Sequence, residues 1–258
     1  MKVTYLRNPS DKSRFDVRAA VGDKLKHYNV TQGACSDGRY IYVAFEQKEH
    51  KEKKREHRIK IVKLDPETRK ILKVSAPLKL GHANDMCARG AFLYVTHSGT
   101  KKVIHKVNTS TLAKGKDIEI DVPKKYRKHI TGFNGISTYG EAYLLRGMGG
   151  NYVLYLDKNF KVSKIEKFTK PFKDKEDSQG MTYKDGIVYR AYSRLQSAKK
   201  NFICKFSKVG KLVSKSKVEI KGELENIFFI GDKLYGMVYR KKKKDGKTHY
   251  MSYIFKVK

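Results

Sequence analysis

The sequence predicts an all-β fold: a five-bladed β-propeller of four-stranded antiparallel blades, its ring closed by a strand from the N-terminus. Three observations lead there. The first is a repeat. Five phrases, VTQGACSDGRYIYVAFE, LGHANDMCARGAFLYVTHS, TGFNGISTYGEAYLLRG, DSQGMTYKDGIVYRAYS and ELENIFFIGDKLYGMVY, each carry a side-chain amide or carboxylate: Gln32, Asn84, Asn134, Gln179 and Glu225. A tyrosine follows ten residues later, or nine in the third copy: Tyr42, Tyr94, Tyr143, Tyr189 and Tyr235. The second is the period, with 52, 50, 45 and 46 residues between successive copies, the range of propeller blades. The third is size. The 258 residues are nearly used up by five such units, and all-β chains of this length form one domain, so 1–258 is read as a single domain.

Each blade is traced in the same order. In the first, strand A covers about 31–36 and Ser36-Asp37-Gly38 is a turn. Strand B is RYIYVAF (39–45), and EQKEHKEKKREH (46–57) is a charged loop. Strand C is RIKIVKL (58–64), where apolar and basic residues alternate with the period of two of a half-buried strand. Asp65-Pro66-Glu67-Thr68 is a turn, and KILKV (70–74) is strand D. KVIHKVN, YVLYLDKNFKV and FICKFSKVGKLV supply the outer strands of the next three blades. The fifth blade reaches HYMSYIFKVK and lacks a strand D, which MKVTYLR at the N-terminus can supply. A ring sealed from both termini leaves only short, protected edges. Residues 8–30, turning at Asn8-Pro9-Ser10, then lead into blade one. No stretch of twelve or more residues shows a convincing helical period, there is no Trp for a WD signature, and Gly149-Gly150 occurs once, a poor match to kelch.

Lys plus Arg number 58 against 26 Asp plus Glu, a net charge of +32. Such a field favours polyanions: nucleic acid, teichoic-acid-like polymers, anionic glycans or acidic membranes. The lysines are spread over every blade, as on a solubilising surface, and also gather in the loops joining strands B and C. These loops are His50 to Arg58, Lys101-Lys102, Arg146, Arg194 with Lys199-Lys200, and Arg240 to Lys244. Three cysteines make no disulfide framework. Cys35 and Cys87 each follow a repeat amide by three residues and are expected to pack between blades. There is no apolar run of bilayer-spanning length and no secretion signal is read in MKVTYLRNPSDKSRF.

In a propeller, the start of strand A and the end of strand B lie on one face. Gln32, Asn84, Asn134, Gln179 and Glu225 are therefore expected to form a ring about the axis. His82, Asp85 and Asp177 are neighbours, and Phe45, His97, Arg146, Tyr192 and Val238 form a second ring at the rim. Amides donate and accept, so the ring suits hydroxyls, sugars or peptide groups, or else bonds the neighbouring blade. The ligand-binding candidates are Gln32, Asn84, Asn134, Arg146, Gln179, Tyr192 and Glu225; the catalytic candidates are His82, Asp85, His97 and Glu225. His82 with Asp85 makes an acid–base pair, and Asp85 with Glu225 offers the two carboxylates of a glycosidase. Ser98 and Ser193 have no G-x-S-x-G elbow around them. One Glu and one Asp are too few for calcium or magnesium, and no metal or cofactor is expected.

YNVTQGACSDGRYIYVAF (28–45), KIVKLDPETRKILK (60–73), LGHANDM (80–86) and SQGMTYKDGIVY (178–189) resemble propeller-like domains of Gram-positive secreted or wall-associated proteins, a group without an assigned reaction. The resemblance implies the fold and an extracellular or wall-associated setting. A weaker similarity is to plant-type glutaminyl cyclases, through Thr31-Gln32-Gly33 and through Glu225, which is in the fifth blade here and the second there. The reading is a binding or scaffold propeller whose basic loop face engages an anionic polymer or glycan, as a monomer. The alternative is a central-channel enzyme of glutaminyl-cyclase, glycosidase or lyase type. Nucleic acid is a third partner class, disfavoured because most tyrosines lie on strand B and not on exposed stacking platforms.

Overall fold

The computed structural model describes residues 3–5, 15–47, 58–148, 151–172, 177–193 and 201–257. The chain opens with β1 (Val3–Tyr5) and a short helix α1 (Val17–Val21). Blade one contains β2 (Tyr28–Ser36), β3 (Ile41–Gln47), β4 (Arg58–Leu64) and β5 (Ile71–Val74), with β6 (Leu78–Lys79) also pairing β4. Blade two is β7 (Asp85–Arg89), β8 (Phe92–Thr96), β9 (Val103–Asn108) and β10 (Ile118–Glu119). Blade three is β11 (Phe133–Tyr139), β12 (Ala142–Gly147), β13 (Tyr152–Leu156) and β14 (Val162–Lys167). Blade four is β15 (Asp177–Lys184), β16 (Ile187–Ser193), β17 (Asn201–Ser207) and β18 (Leu212–Val218). Blade five is β19 (Glu223–Ile230), β20 (Lys233–Lys244) and β21 (Lys247–Val257), completed by β1. The innermost strands β2, β7, β11, β15 and β19 touch in cyclic order, and β19 returns to β2. No helix among the described residues is long and apolar enough to cross a membrane.

Both faces of each inner strand are buried, so the apolar pattern is continuous and not alternating. In β3, Ile41, Val43 and Phe45 pack toward blade five, while Tyr42 and Ala44 pack toward blade two. The core is accordingly divided into five clusters, one in each gap between neighbouring blades. Cys35 and Cys87 lie in the first–second and second–third gaps. Both thiols are buried and free, and burial pushes both well above the usual range, so they pack and do not react.

The ring closes as the missing strand requires. β1 runs antiparallel to β21, with Val3 opposite Val257 and Tyr5 opposite Phe255. Thr31 and Ser252 share a buried hydroxyl–hydroxyl hydrogen bond between blades one and five. The expected turn at Asn8-Pro9-Ser10 lies outside the described residues. The stretch after it is more than a connection. Asp16 caps α1 through Arg18 N and Ala19 N and also accepts from Ser252 N of blade five, while Val17, Val21 and Leu25 are buried. Deleting residues 1–8 is expected to cost about 2 kcal/mol in lost ladder bonds and to lower Tm by several degrees. A thermal melt of the truncated chain with an unchanged Tm would show that β1 does not close the ring.

One expectation is corrected. Lys241–Lys244 was expected in a loop between strands B and C, but these residues continue β20, paired through Lys244 opposite Lys247. Asp245 and Gly246 both have positive φ, 50° and 69°, the backbone of a tight two-residue hairpin turn that Asp-Gly favours. The result is a protruding two-stranded arm on which Lys241, Lys242, Lys243 and Lys247 are exposed.

Candidate functional site

Asp85 marks the axis. Its Oδ1 accepts from Met86 N at 2.8 Å and Asn226 Nδ2 at 2.7 Å. Its Oδ2 accepts from Ile136 N and Met181 N, both at 2.9 Å. One carboxylate from blade two thus touches blades three, four and five, which only an axial position allows. The fifth side is backbone: Gly33 N donates to Ala83 O at 2.9 Å. A Cβ at Gly33 would lie 3.0 Å from the Asp85 backbone, and one at Gly180 would strike the Asn226 amide. The equivalent residues of the five blades are Gly33, Asp85, Gly135, Gly180 and Asn226. Small residues make the room that Asp85 and Asn226 fill.

These are the residues immediately after Gln32, Asn84, Asn134, Gln179 and Glu225. The reason for the offset is local. The ladders of β2, β11, β15 and β19 shift register at Thr31/Ala34, Phe133/Gly135, Ser178/Met181 and Leu224/Asn226. Each shift is a β-bulge containing the repeat amide or carboxylate, and a bulge re-aims its side chain. In blade two, Asn84 precedes β7 at a bend marked by positive φ at Gly81 and Ala83. The bulges send the next residue to the axis and leave the amides and Glu225 at the mouth above it.

At the mouth the partners are as follows. Gln32 Nε2 donates to Glu46 Oε2 at 3.5 Å, and His82 Nδ1 lies 2.7 Å from the same oxygen. Gln179 Nε2 donates to Glu223 Oε1 at 3.1 Å. Arg146 Nη1 donates to Asn134 Oδ1 at 2.8 Å and to Ser178 O at 3.1 Å. Asn84 Oδ1 is buried with no hydrogen-bond partner among the described residues. Glu225 is buried; burial, with Glu223 and Glu46 nearby, pushes its carboxyl well above the usual range, against the pull of Lys241. Tyr192, also buried, lies near Arg146 and Arg190.

The expected pairing of His82 with Asp85 does not form, because His82 turns to Glu46. Asp85 is equally unsuited to pair with Glu225 as a second reacting carboxylate, since N–H donors occupy both its oxygens. Burial pushes Asp85 up to about 7 even though those four donors pull it down. His97 turns away from the carboxylates and stacks on His105, with Gly99 N donating to its Nδ1 at 3.0 Å. Phe45 and Val238 are buried apolar residues, so the rim is not polar in blades one and five. Asp177 begins β15 opposite Ser193. The cation-rich stretches 48–57 and 194–200 lie outside the described residues.

Comparison with protein-family models gives no match, and comparison with curated proteins gives none. Among solved structures the chain is similar to a GH43 β-xylosidase/α-arabinofuranosidase from a compost microbial metagenome. The TM-score is 0.59 and the identity 10%, over 98% of this chain and 94% of that one. It is similar to the glutaminyl cyclase of Myxococcus xanthus, with TM-score 0.56 and 10% identity over 90% and 93%. It also matches the tail fibre of Staphylococcus aureus phage P68, with TM-score 0.57 and 15% identity over 89% of this chain and 50% of that one. At these identities the likeness shows a shared five-bladed propeller fold.

Glu46, Glu223 and Arg190 fall outside the repeat positions that mark the site in the sequence. Glu46 carries a signal: Tyr42, Ala44 and Glu46 share one face of β3, the face toward His82 in blade two. Glu223 precedes Glu225 by two residues, but the intervening bulge hides that both reach the mouth. Arg190 is fully buried. Its guanidinium sits 5.3–5.9 Å from the rings of Phe168, Tyr192 and Phe206, with long bonds to Asn151 Oδ1 and Ser178 Oγ of 3.4 and 3.5 Å. Nothing in VYRAYS distinguishes it from a surface arginine.

Proposed function

We propose that the mouth is an acid–base site for a neutral, hydroxyl- and amide-bearing unit of a glycan, and that the cationic arm beside it holds anionic parts of the same polymer. The observation that carries this reading is the carboxyl group of Glu225, buried beside Glu223 and Glu46 and so biased toward keeping its proton. A buried carboxyl that keeps its proton is suited to serve as a general acid. His82 with Glu46 is a base-type pair. The side-chain amides of Gln32, Asn84, Asn134 and Gln179 suit the hydroxyls and amides of such a unit. The likeness of the repeats to wall-associated propellers supports a cell-surface polymer as the setting. The test is turnover and binding of cell-wall glycan fragments and aryl glycosides by the wild type and by Glu225→Gln. Turnover lost in Glu225→Gln with binding kept is the expected result. Turnover of an N-terminal glutaminyl peptide and of no glycan would overturn the substrate class.

The arm makes a separate prediction. Binding to heparin, teichoic acid and duplex DNA should weaken steeply with salt as counterions are released. Replacing Lys241, Lys242 and Lys243 by alanine should reduce the log–log slope for DNA by about 2–3. Absence of binding to all three at low salt would reduce the charge to solubility.

A further inference from the structure

A cavity walled largely by blade two, with several charged side chains, lies beside the mouth and not within it. Its volume is about 720 Å³ and its walls include Lys79, Lys101, Lys102, Lys114, His97 and His105, with the carboxylates of Asp117 and Glu119. A narrow crevice lined by Gly81, His97 and His82 lies against it. The size is that of a small-molecule site.

The chemistry is set by His105, which is 7% exposed. Its Nδ1 is 2.8 Å from Asp117 Oδ1, and Lys114 Nζ is also 2.8 Å from that oxygen. An ionised Asp117 accepts only, so Nδ1 carries the proton. Burial holds His105 below the usual imidazole range despite Asp117, so the ring is neutral and Nε2 has a lone pair. That Nε2 is buried with no hydrogen-bond partner among the described residues. The ring is fixed from its other side by stacking on His97, at 5.0 Å between centroids and 26° between planes. Lys79, Lys101, Lys102 and Lys114 thus line the same cavity as this ring, and Lys114 and Asp117 are already paired with each other.

We infer that this cavity binds a small anion with a hydroxyl near its charge, the chemistry of a glycerol phosphate or sugar phosphate: the lysines take the phosphate and Nε2 of His105 accepts from the hydroxyl. A buried acceptor left open rejects a ligand that cannot donate to it. The inference does not rest on the carboxylates of the mouth.

The experiment is calorimetric titration in mildly alkaline buffer with glycerol 3-phosphate, which has charge and hydroxyls, methyl phosphate, which has the charge alone, and glycerol, which has the hydroxyls alone. Glycerol 3-phosphate should bind about tenfold more tightly than methyl phosphate, the ratio expected for one satisfied buried acceptor, and glycerol should not bind. Lys79→Ala/Lys101→Ala/Lys102→Ala should weaken both phosphates together. His105→Phe, which keeps the stack, should make the two bind alike; if it does not fold, the wild-type ratio decides. Glu225→Gln should change nothing, which separates failure here from failure of the mouth reading. Equal affinity for the two phosphates in the wild type, no binding of either, or indifference to the lysine substitutions would overturn the inference.

Discussion

Asp85→Ala should destabilise the protein by at least about 4 kcal/mol, judged at about 1–3 kcal/mol for each of four buried donors left without an acceptor. Three main-chain N–H groups and the Asn226 amide lose their acceptor at once. They belong to four different blades, so no single local shift restores them. Asp85 is fully buried, and Gly33, Gly135 and Gly180 carry no side chain to collapse into the space. Against a total stability of about 5–15 kcal/mol, the variant stands at the edge of unfolding. Asp85→Asn should fall between: the amide oxygen still accepts from one pair of donors, while its NH2 faces the other. Urea unfolding of the three proteins measures this directly. A cost below about 1 kcal/mol for Asp85→Ala would mean that water replaces the carboxylate and that the axis is not sealed.

The ring of repeat amides and the ring at the axis differ by one residue, and a bulge explains it. The repeat phrases establish equivalent positions, because sequence spacing reports equivalence faithfully. They cannot report direction, since a bulge places two successive residues on the side of one. That is why Gln32, Asn84, Asn134, Gln179 and Glu225 align blade to blade while the following residues occupy the axis. The arm departs from its sequence expectation for a different reason. The charge of KKKKDGKTHY points to a loop, whereas Asp-Gly between two strand-forming stretches is a hairpin signal stronger than a lysine run is a loop signal. The closure by β1 was legible because a missing strand is a matter of counting. Glu46 was hidden because the period of two continued past the last apolar residue of β3, into what reads as a charged loop. Arg190 was not legible at all: its burial among aromatic rings is a property of three strands brought together and of no one of them.

Glu225→Gln is expected to lower turnover by about 10²–10⁴-fold, the range of a lost general acid, and to make the protein more stable, not less, above neutral pH. The folded carboxyl titrates above its unfolded value because of burial first, then of Glu223 and Glu46. Between those two values the folded chain binds more protons than the unfolded chain, so stability falls as pH rises through the window and levels off above it. Glutamine has no proton to lose, and the slope due to this residue disappears. Asp85, pushed in the same direction to about 7, keeps its own share of the slope and serves as an internal control. Activity should follow the same proton: kcat/KM of the wild type should fall as pH rises through the folded value for Glu225, while substrate binding to Glu225→Gln stays level across that range. Two measurements decide it, urea unfolding at several pH values and a pH–rate profile. A Glu225→Gln protein less stable than the wild type at every pH would make Glu225 a structural partner of its neighbours. An alkaline limb unchanged in a still-active Glu225→Gln would assign the proton to another group at the mouth.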